Sequence, residues 1–109
     1  MFVRLFVDAN DEKSALDVFN MVIGNLNSIV ISYKIEEIKP YWKIDNVLII
    51  EFSLDLSEII TIDKLTEELK GISDKWTAFG EPVEELLASD TTEGCEFLLK
   101  GVRMINIYL

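Results

Sequence analysis

Two neighbouring stretches of this sequence carry an apolar side chain at every second position. In residues 29–36 these side chains are Ile29, Ile31, Tyr33 and Ile35. In residues 47–55 they are Leu48, Ile50, Phe52 and Leu54. Successive side chains of a β-strand point to opposite faces, so this repeat predicts two strands, each with one apolar face. The turn-like pair Asp45-Asn46 between them predicts an antiparallel hairpin with a long connection.

Stretches on both sides of the hairpin have the three- and four-residue apolar spacing of amphipathic helices. After an alternating strand at residues 2–8, the polar segment Asn10-Asp11-Glu12 can cap a first helix that ends within residues 24–27. Thr61 can cap a second helix in the same way. The apolar stripe of that second helix consists of Ile62, Leu65, Leu69, Ile72 and Trp76.

The remainder of the chain predicts a strand, a short helix and a final strand. Gly80 and Pro82 precede an apolar stretch at residues 83–88 that we interpret as a short strand. Asp90 and Glu93 have the spacing of a capping box, and Gly101 stands where a helix would end, which predicts a helix over residues 92–100. Residues 102–109 then predict the last strand.

These elements define an α+β protein with a single domain over residues 1–109. Their order is β-α-β-β-α-β with a short C-terminal helix and strand added. This order predicts a ferredoxin-like arrangement, in which the helices cover one face of an antiparallel sheet. The other sheet face is left to solvent or to a partner.

The residue inventory excludes several enzyme classes. The chain has no histidine and one cysteine, Cys95, so it lacks the usual nucleophile pairs, zinc sites and thiol-exchange motifs. Its five glycines form no phosphate-binding loop. We therefore expect no enzyme activity, no cofactor and no metal. A pair of buried carboxylates in a cleft is the catalytic arrangement that this inventory leaves open.

The charge balance favours a basic protein partner. Twenty acidic side chains oppose ten basic ones, which gives a formal net charge of -10. Such a surface repels nucleic acid and anionic membranes, and it accelerates encounter with a basic protein. The apolar N-terminal stretch is interrupted by Arg4 and Asp8 before a signal-peptide core is reached, so we expect a cytoplasmic protein.

Two groups of residues are candidates for partner binding. The first group is acidic and lies on strands or in the hairpin connection, where it would face the uncovered side of the sheet: Asp8, Glu36, Asp45, Glu51 and Asp55. The second is the adjacent pair Tyr41 and Trp42, since exposed aromatics beside charged residues are typical interface anchors. The alternatives are a merely solvated sheet face and an aromatic ring that folds back onto the core.

In its length, acidity and α+β layout the chain resembles the immunity proteins of bacterial contact-dependent growth inhibition and related polymorphic toxin systems. The residues behind the resemblance are Glu36, Glu51 and Asp55, the Tyr41-Trp42 pair and the closing segment 101–109. The resemblance implies a protein that neutralises a cognate toxin domain, often a nuclease with a basic cleft, by stoichiometric binding. It implies a monomer or weak dimer when free. The alternative function is a ferredoxin-like module that binds a small ligand or forms homo-oligomers through its uncovered sheet face.

Overall fold

The computed structural model describes residues 1–57 and 61–109. Six strands are present in these ranges: β1 (Phe2–Asp8), β2 (Val30–Pro40), β3 (Val47–Leu56), β4 (Thr77–Phe79), β5 (Glu85–Ser89) and β6 (Val102–Tyr108). The two helices in the same ranges are α1 (Glu12–Asn25) and α2 (Ile62–Leu69). The α+β class predicted from the sequence is confirmed.

All six strands form one antiparallel sheet with the order β2-β3-β1-β6-β5-β4. The predicted hairpin is β2–β3, and β2 is longer than expected because it continues to Pro40. Pro40 fits there because β2 is an edge strand, whose outer backbone groups need no partner strand. The pairing of β2 with β3 is interrupted by two register shifts, between Val30 and Ser32 and between Ile35 and Glu37.

Both helices pack on the same face of the sheet. Polar side chains begin both helices, since the Asp11 carboxylate accepts from the Ser14 N–H at 2.7 Å and the Thr61 hydroxyl accepts from the Lys64 N–H at 3.1 Å. One buried cluster joins the helices to alternate positions of the strands, and among its members are Leu5, Phe19, Ile50, Phe52, Leu54, Leu65, Leu69 and Ile107. The apolar faces that the sequence repeats predicted for the strands and for the helices thus pack together in one core.

The predicted helix over residues 92–100 is wrong. Gly94 lies in the middle of this segment at φ 86°, a left-handed conformation that an α-helix cannot contain. The Asp74 carboxylate accepts instead from the backbone N–H groups of Glu96 and Phe97, at 3.2 and 2.9 Å, and holds the segment extended. Leu98 pairs with Ser73 in an isolated β-bridge. The segment is therefore a pinned loop between β5 and β6.

Two further elements differ from the predictions. The sequence predicted five strands, and the extra one is β4, whose three residues are too few for a recognisable repeat. Helix α2 ends at Leu69, so Trp76 lies beyond it. The indole Nε1 of Trp76 donates to the carbonyl oxygens of Leu69 and Ser73 at 3.1 and 3.0 Å and so ties the ring to the turn that follows the helix.

Candidate interaction site

The face of the sheet that lies opposite the helices, called the open face, is formed by alternate residues of the strands. Residues that pair directly across antiparallel strands lie side by side on one face. The middle row of the open face runs from Leu87 of β5 through Asn106 and Arg4 to Glu51 and Glu37. Charged side chains therefore lie in the interior of the sheet and not only at its rim.

The loop of residues 41–46, called the β2–β3 loop, is fastened to the open face by an aromatic contact. The ring of Tyr41 packs edge-on against Phe6, with centroids 5.0 Å apart and planes at 76°. Phe6 belongs to a small buried cluster with Val47 and Ile49, and Tyr41 and Met104 cover that cluster. The Tyr41 N–H donates to the Val47 carbonyl at 2.9 Å and closes the base of the loop. Tyr41 is thus a half-buried anchor.

Trp42 is the most exposed of the large apolar side chains in the described residues, with 84% of its surface accessible. Its ring centroid lies 6.4 Å from that of Tyr41. Lys43 Nζ lies 5.2 Å from the Trp42 ring centroid, close enough for a cation–π contact. An exposed indole on an anchored loop offers a large apolar surface to a partner at a small cost in conformational entropy.

Glu51 is held within the sheet by two cations. Its side chain is only 10% exposed, and its carboxylate lies 2.9 Å from Arg4 Nε and 3.2 Å from Lys39 Nζ. Lys39 Nζ is also 3.5 Å from the Glu37 carboxylate. Burial raises the pKa of Glu51, but hydrogen bonds and charge from Lys39 and Arg4 outweigh it, so this pKa lies below its ordinary value. The Glu51 carboxylate is therefore ionised and already has partners in its own sheet.

The remaining acidic candidates lie in three places. Asp55 and Glu36 lie on the β2–β3 side of the sheet, where they accept hydrogen bonds from Ser32 Oγ at 2.8 Å and Ser53 Oγ at 3.0 Å. Asp45 is exposed in the β2–β3 loop.

Asp8 lies at the end of β1, opposite Val47. Its carboxylate is 3.7 Å from Arg103 Nε, and that nitrogen is 3.4 Å from Asp90. The structure thus brings Tyr41, Trp42 and Asp45 together in one loop. Glu36 and Asp55 form a separate acidic strip along the β2–β3 side.

A groove beside the β2–β3 loop was not predicted from the sequence. Its volume is about 460 Å³, and it is lined by Arg4, Phe6, Lys39, Pro40, Tyr41, Trp42, Lys43 and Ile49. The aromatic pair and its two flanking lysines are visible in the sequence. The contribution of Arg4 and Phe6 depends on the pairing of β1 with β3, which brings residues far apart in the chain side by side. We call this feature the cationic groove.

Two other features bear on chemistry. In residues 1–57 and 61–109 no group of three or more acidic, cysteine or histidine side chains could hold a metal ion. The Cys95 thiol lies 3.4 Å from the Phe97 carbonyl and 3.7 Å from Asp74, inside the pinned loop that follows β5. The cysteine is therefore part of the packing of that loop.

The fold and the site define a class: an α+β protein with a six-stranded antiparallel sheet, helices on one face and an anchored aromatic loop on the other. Comparison with protein-family models, with curated proteins and with solved structures finds no significant match. Among the helices of the described residues, none has the length and apolar character needed to span a membrane.

Proposed function

We propose that this chain is a cytoplasmic immunity protein that binds and neutralises a cognate toxin domain by forming a stoichiometric complex. The observation that carries the proposal is the exposure of Trp42 on a loop whose base is fixed by the contact between Tyr41 and Phe6. Tryptophan is enriched among the residues that dominate binding energy at protein interfaces. No catalytic step is needed, because covering the toxin's active site is sufficient.

The charge distribution supports a toxin with a basic surface, as in nucleases. The net charge of -10 steers such a partner towards the protein over a range of about 8 Å at physiological salt. Asp45 in the loop, and Glu36 and Asp55 in the acidic strip along the hairpin, are exposed acids that can occupy positions of the toxin that otherwise bind phosphate. Glu51 contributes indirectly, since it holds Lys39 and therefore the end of β2 that leads into the loop.

Within this proposal the four strands β2-β3-β1-β6 and the two helices form a ferredoxin-like unit, to which β4 and β5 are added at one edge. The fourth strand of this unit is β6, which pairs with β1, and not the strand at residues 83–88 to which the order of elements in the sequence assigned that place. The antiparallel order of these four strands and the packing of both helices on one face support this interpretation. The face that the helices leave uncovered is open to solvent, as is usual for an antiparallel sheet, and is therefore accessible to a partner.

The test is binding to the C-terminal domain of a large secreted protein encoded next to this gene. We expect a one-to-one complex in calorimetry, and we expect Trp42→Ala to weaken it by more than about 1 kcal/mol. Asp55→Lys should slow association, and added salt should slow association more than it speeds dissociation. Phe97→Ala is the matched control, because Phe97 is also exposed but lies in the pinned loop between β5 and β6. Binding that is indifferent to salt, Trp42→Ala and Asp55→Lys would refute this interface.

One observation favours the alternative of self-association through the open face. A row of directly paired residues crosses that face in the order Phe79, Glu85, Tyr108 and Phe2. Three of the four are aromatic, and Phe79 is 45% exposed. Burying this row against a second copy would remove apolar surface from water. Sedimentation equilibrium decides between the two functions: the immunity proposal expects a monomer or weak dimer, whereas self-association expects a stable dimer that Phe79→Lys dissociates.

A further inference from the structure

The cationic groove has a local charge opposite to that of the whole protein. Its lining includes Arg4, Lys39 and Lys43 and no acidic side chain. Glu51 and Glu37, which pair with Arg4 and Lys39, offset two of the three positive charges. One positive charge is therefore left in the groove of a protein whose net charge is -10.

Several donors in the groove are available to a ligand. Arg4 donates to Glu51 through Nε alone, so its two terminal guanidinium nitrogens make no hydrogen bond to any residue in the described ranges. Lys43 Nζ forms no ion pair within those ranges and lies near the face of the Trp42 ring. Arginine and lysine donors bind carboxylates with charge-assisted hydrogen bonds, which are stronger than neutral ones.

The walls of the same groove are apolar. Phe6 and Ile49 form its floor as members of a buried cluster, and the rings of Tyr41 and Trp42 rise beside it. A ligand that matches both the cationic donors and the apolar walls carries a carboxylate next to an aliphatic or aromatic group. We propose that the cationic groove binds an acidic side chain flanked by apolar residues on an extended segment of a partner protein.

The surroundings of the groove favour a protein segment over a nucleic acid. A single carboxylate within hydrogen-bonding distance interacts mainly with the nearest cations, because salt screens charges beyond about 8 Å. A phosphate chain would extend past the groove towards Glu36, Glu37 and Asp45, which are exposed and repel it.

This inference rests on the proposed function in one respect, since the partner segment would belong to the toxin domain that also contacts Trp42. It adds that the toxin contact has mixed charge: an acidic residue enters the groove while basic residues face Glu36 and Asp55. A cationic groove next to Trp42 and an acidic strip farther along the same hairpin would fix the orientation of the partner.

The test uses probe peptides and does not require the toxin. The intact protein, labelled with ¹⁵N, is titrated with acetyl-Leu-Glu-Leu-amide, with acetyl-Leu-Gln-Leu-amide and with inorganic phosphate, and the spectrum is followed by NMR. We expect the glutamate peptide to shift the Trp42 indole N–H and the amides of Phe6 and Lys43. The glutamine peptide should bind at least about three-fold more weakly, and phosphate should leave the Trp42 indole signal in place.

Two variants make the test specific. Lys43→Gln should weaken the glutamate peptide about three-fold, as expected for one exposed ion pair. Lys13→Gln removes the same charge from an exposed position on α1, on the opposite side of the sheet, and should change nothing. Lys43 is preferred to Arg4 because it has no structural ion pair to lose.

Three results would overturn the inference: equal binding of the two peptides, shifts that map outside the groove, or no effect of Lys43→Gln. If the toxin domain binds through Trp42 while the glutamate peptide fails, only the groove inference is wrong. If the peptide binds and no toxin domain does, the groove stands and the proposed function fails.

Discussion

Arg4 Nε lies 2.9 Å from the Glu51 carboxylate, across directly paired positions of β1 and β3. Lys39 approaches the same carboxylate from β2 at 3.2 Å. Three strands are thus joined by side chains as well as by their backbone hydrogen bonds. Because Glu51 is nearly buried, its removal takes the ion-pair partner from Arg4 and leaves Lys39 with Glu37 alone, at 3.5 Å.

Glu51→Ala should lower the free energy of unfolding by about 2 kcal/mol, because hydrogen-bonded charge is lost at a nearly buried position. Urea denaturation followed by circular dichroism measures this change. Glu93→Gln, which alters an exposed acid in the pinned loop, is the control and should stay within about 0.5 kcal/mol of the wild type. A loss for Glu51→Ala no larger than that of the control would show that the ion pairs contribute no stability.

Stability should fall in acid, and Glu51 should account for part of the fall. Its pKa in the folded state is below the ordinary value of 4.5, so its contribution is present above about pH 4.5 and is lost as pH falls through the lower folded pKa. Hydrogen bonds from Ser14 lower the pKa of Asp11 in the same sense. The measurement is the urea midpoint between about pH 3 and about pH 7, the range in which ordinary carboxyl groups titrate. The midpoint should change less with pH for Glu51→Gln than for the wild type. Identical slopes would contradict the assignment.

Asp74→Ala should release the loop between β5 and β6. The Asp74 carboxylate accepts from the N–H groups of Glu96 and Phe97, and hydrogen bonding to the Phe97 N–H is the main cause of its lowered pKa. Without the carboxylate, the amides of Glu96 and Phe97 should exchange faster with deuterium, while those of β1 are unchanged. Asp63→Ala, at an exposed acid in the first turn of α2, is the control for the loss of a carboxylate and should leave both amides protected.

Two glycine substitutions should change stability in opposite directions. Gly101 has φ 92°, and a Cβ there would lie 2.7 Å from Val18 Cγ2, so Gly101→Ala should cost about 1–3 kcal/mol. Gly24 lies inside α1 with nothing within 4 Å of an added Cβ, so Gly24→Ala should stabilise by about 0.5–1 kcal/mol. Thermal melting of both variants measures the pair. Stabilisation by Gly101→Ala would contradict the close contact with Val18.

The parts of the fold that follow from local periodicity could be predicted. The apolar repeats of α1 and β3 give these elements to within a residue or two, and Thr61 caps α2 as expected. The helix predicted at residues 92–100 failed because Asp74, some twenty residues earlier in the chain, supplies acceptors that favour an extended segment. Local pattern carries no information about such a distant partner.

The candidate site likewise has one part that could be predicted from neighbouring residues and one part that depends on distant ones. The anchor role of Trp42 was inferred from its neighbours in the sequence, and the structure places its ring in solvent. The environment of Glu51 could not be inferred, because its two cations reach it from other strands through the sheet register. Sequence alone therefore gave Glu51 the same role as Asp55, although one is nearly buried and the other is exposed.

The two register shifts in β2 have a consequence for how these molecules behave when crowded together. A regular outer strand is a template on which another chain can continue the hydrogen-bond ladder, and that is a route to aggregation. Here the long border strand, β2, is irregular at two places, and the border strand at the far end, β4, has only three residues. Neither border offers an incoming strand an uninterrupted ladder, so growth of the sheet from one molecule to the next is disfavoured.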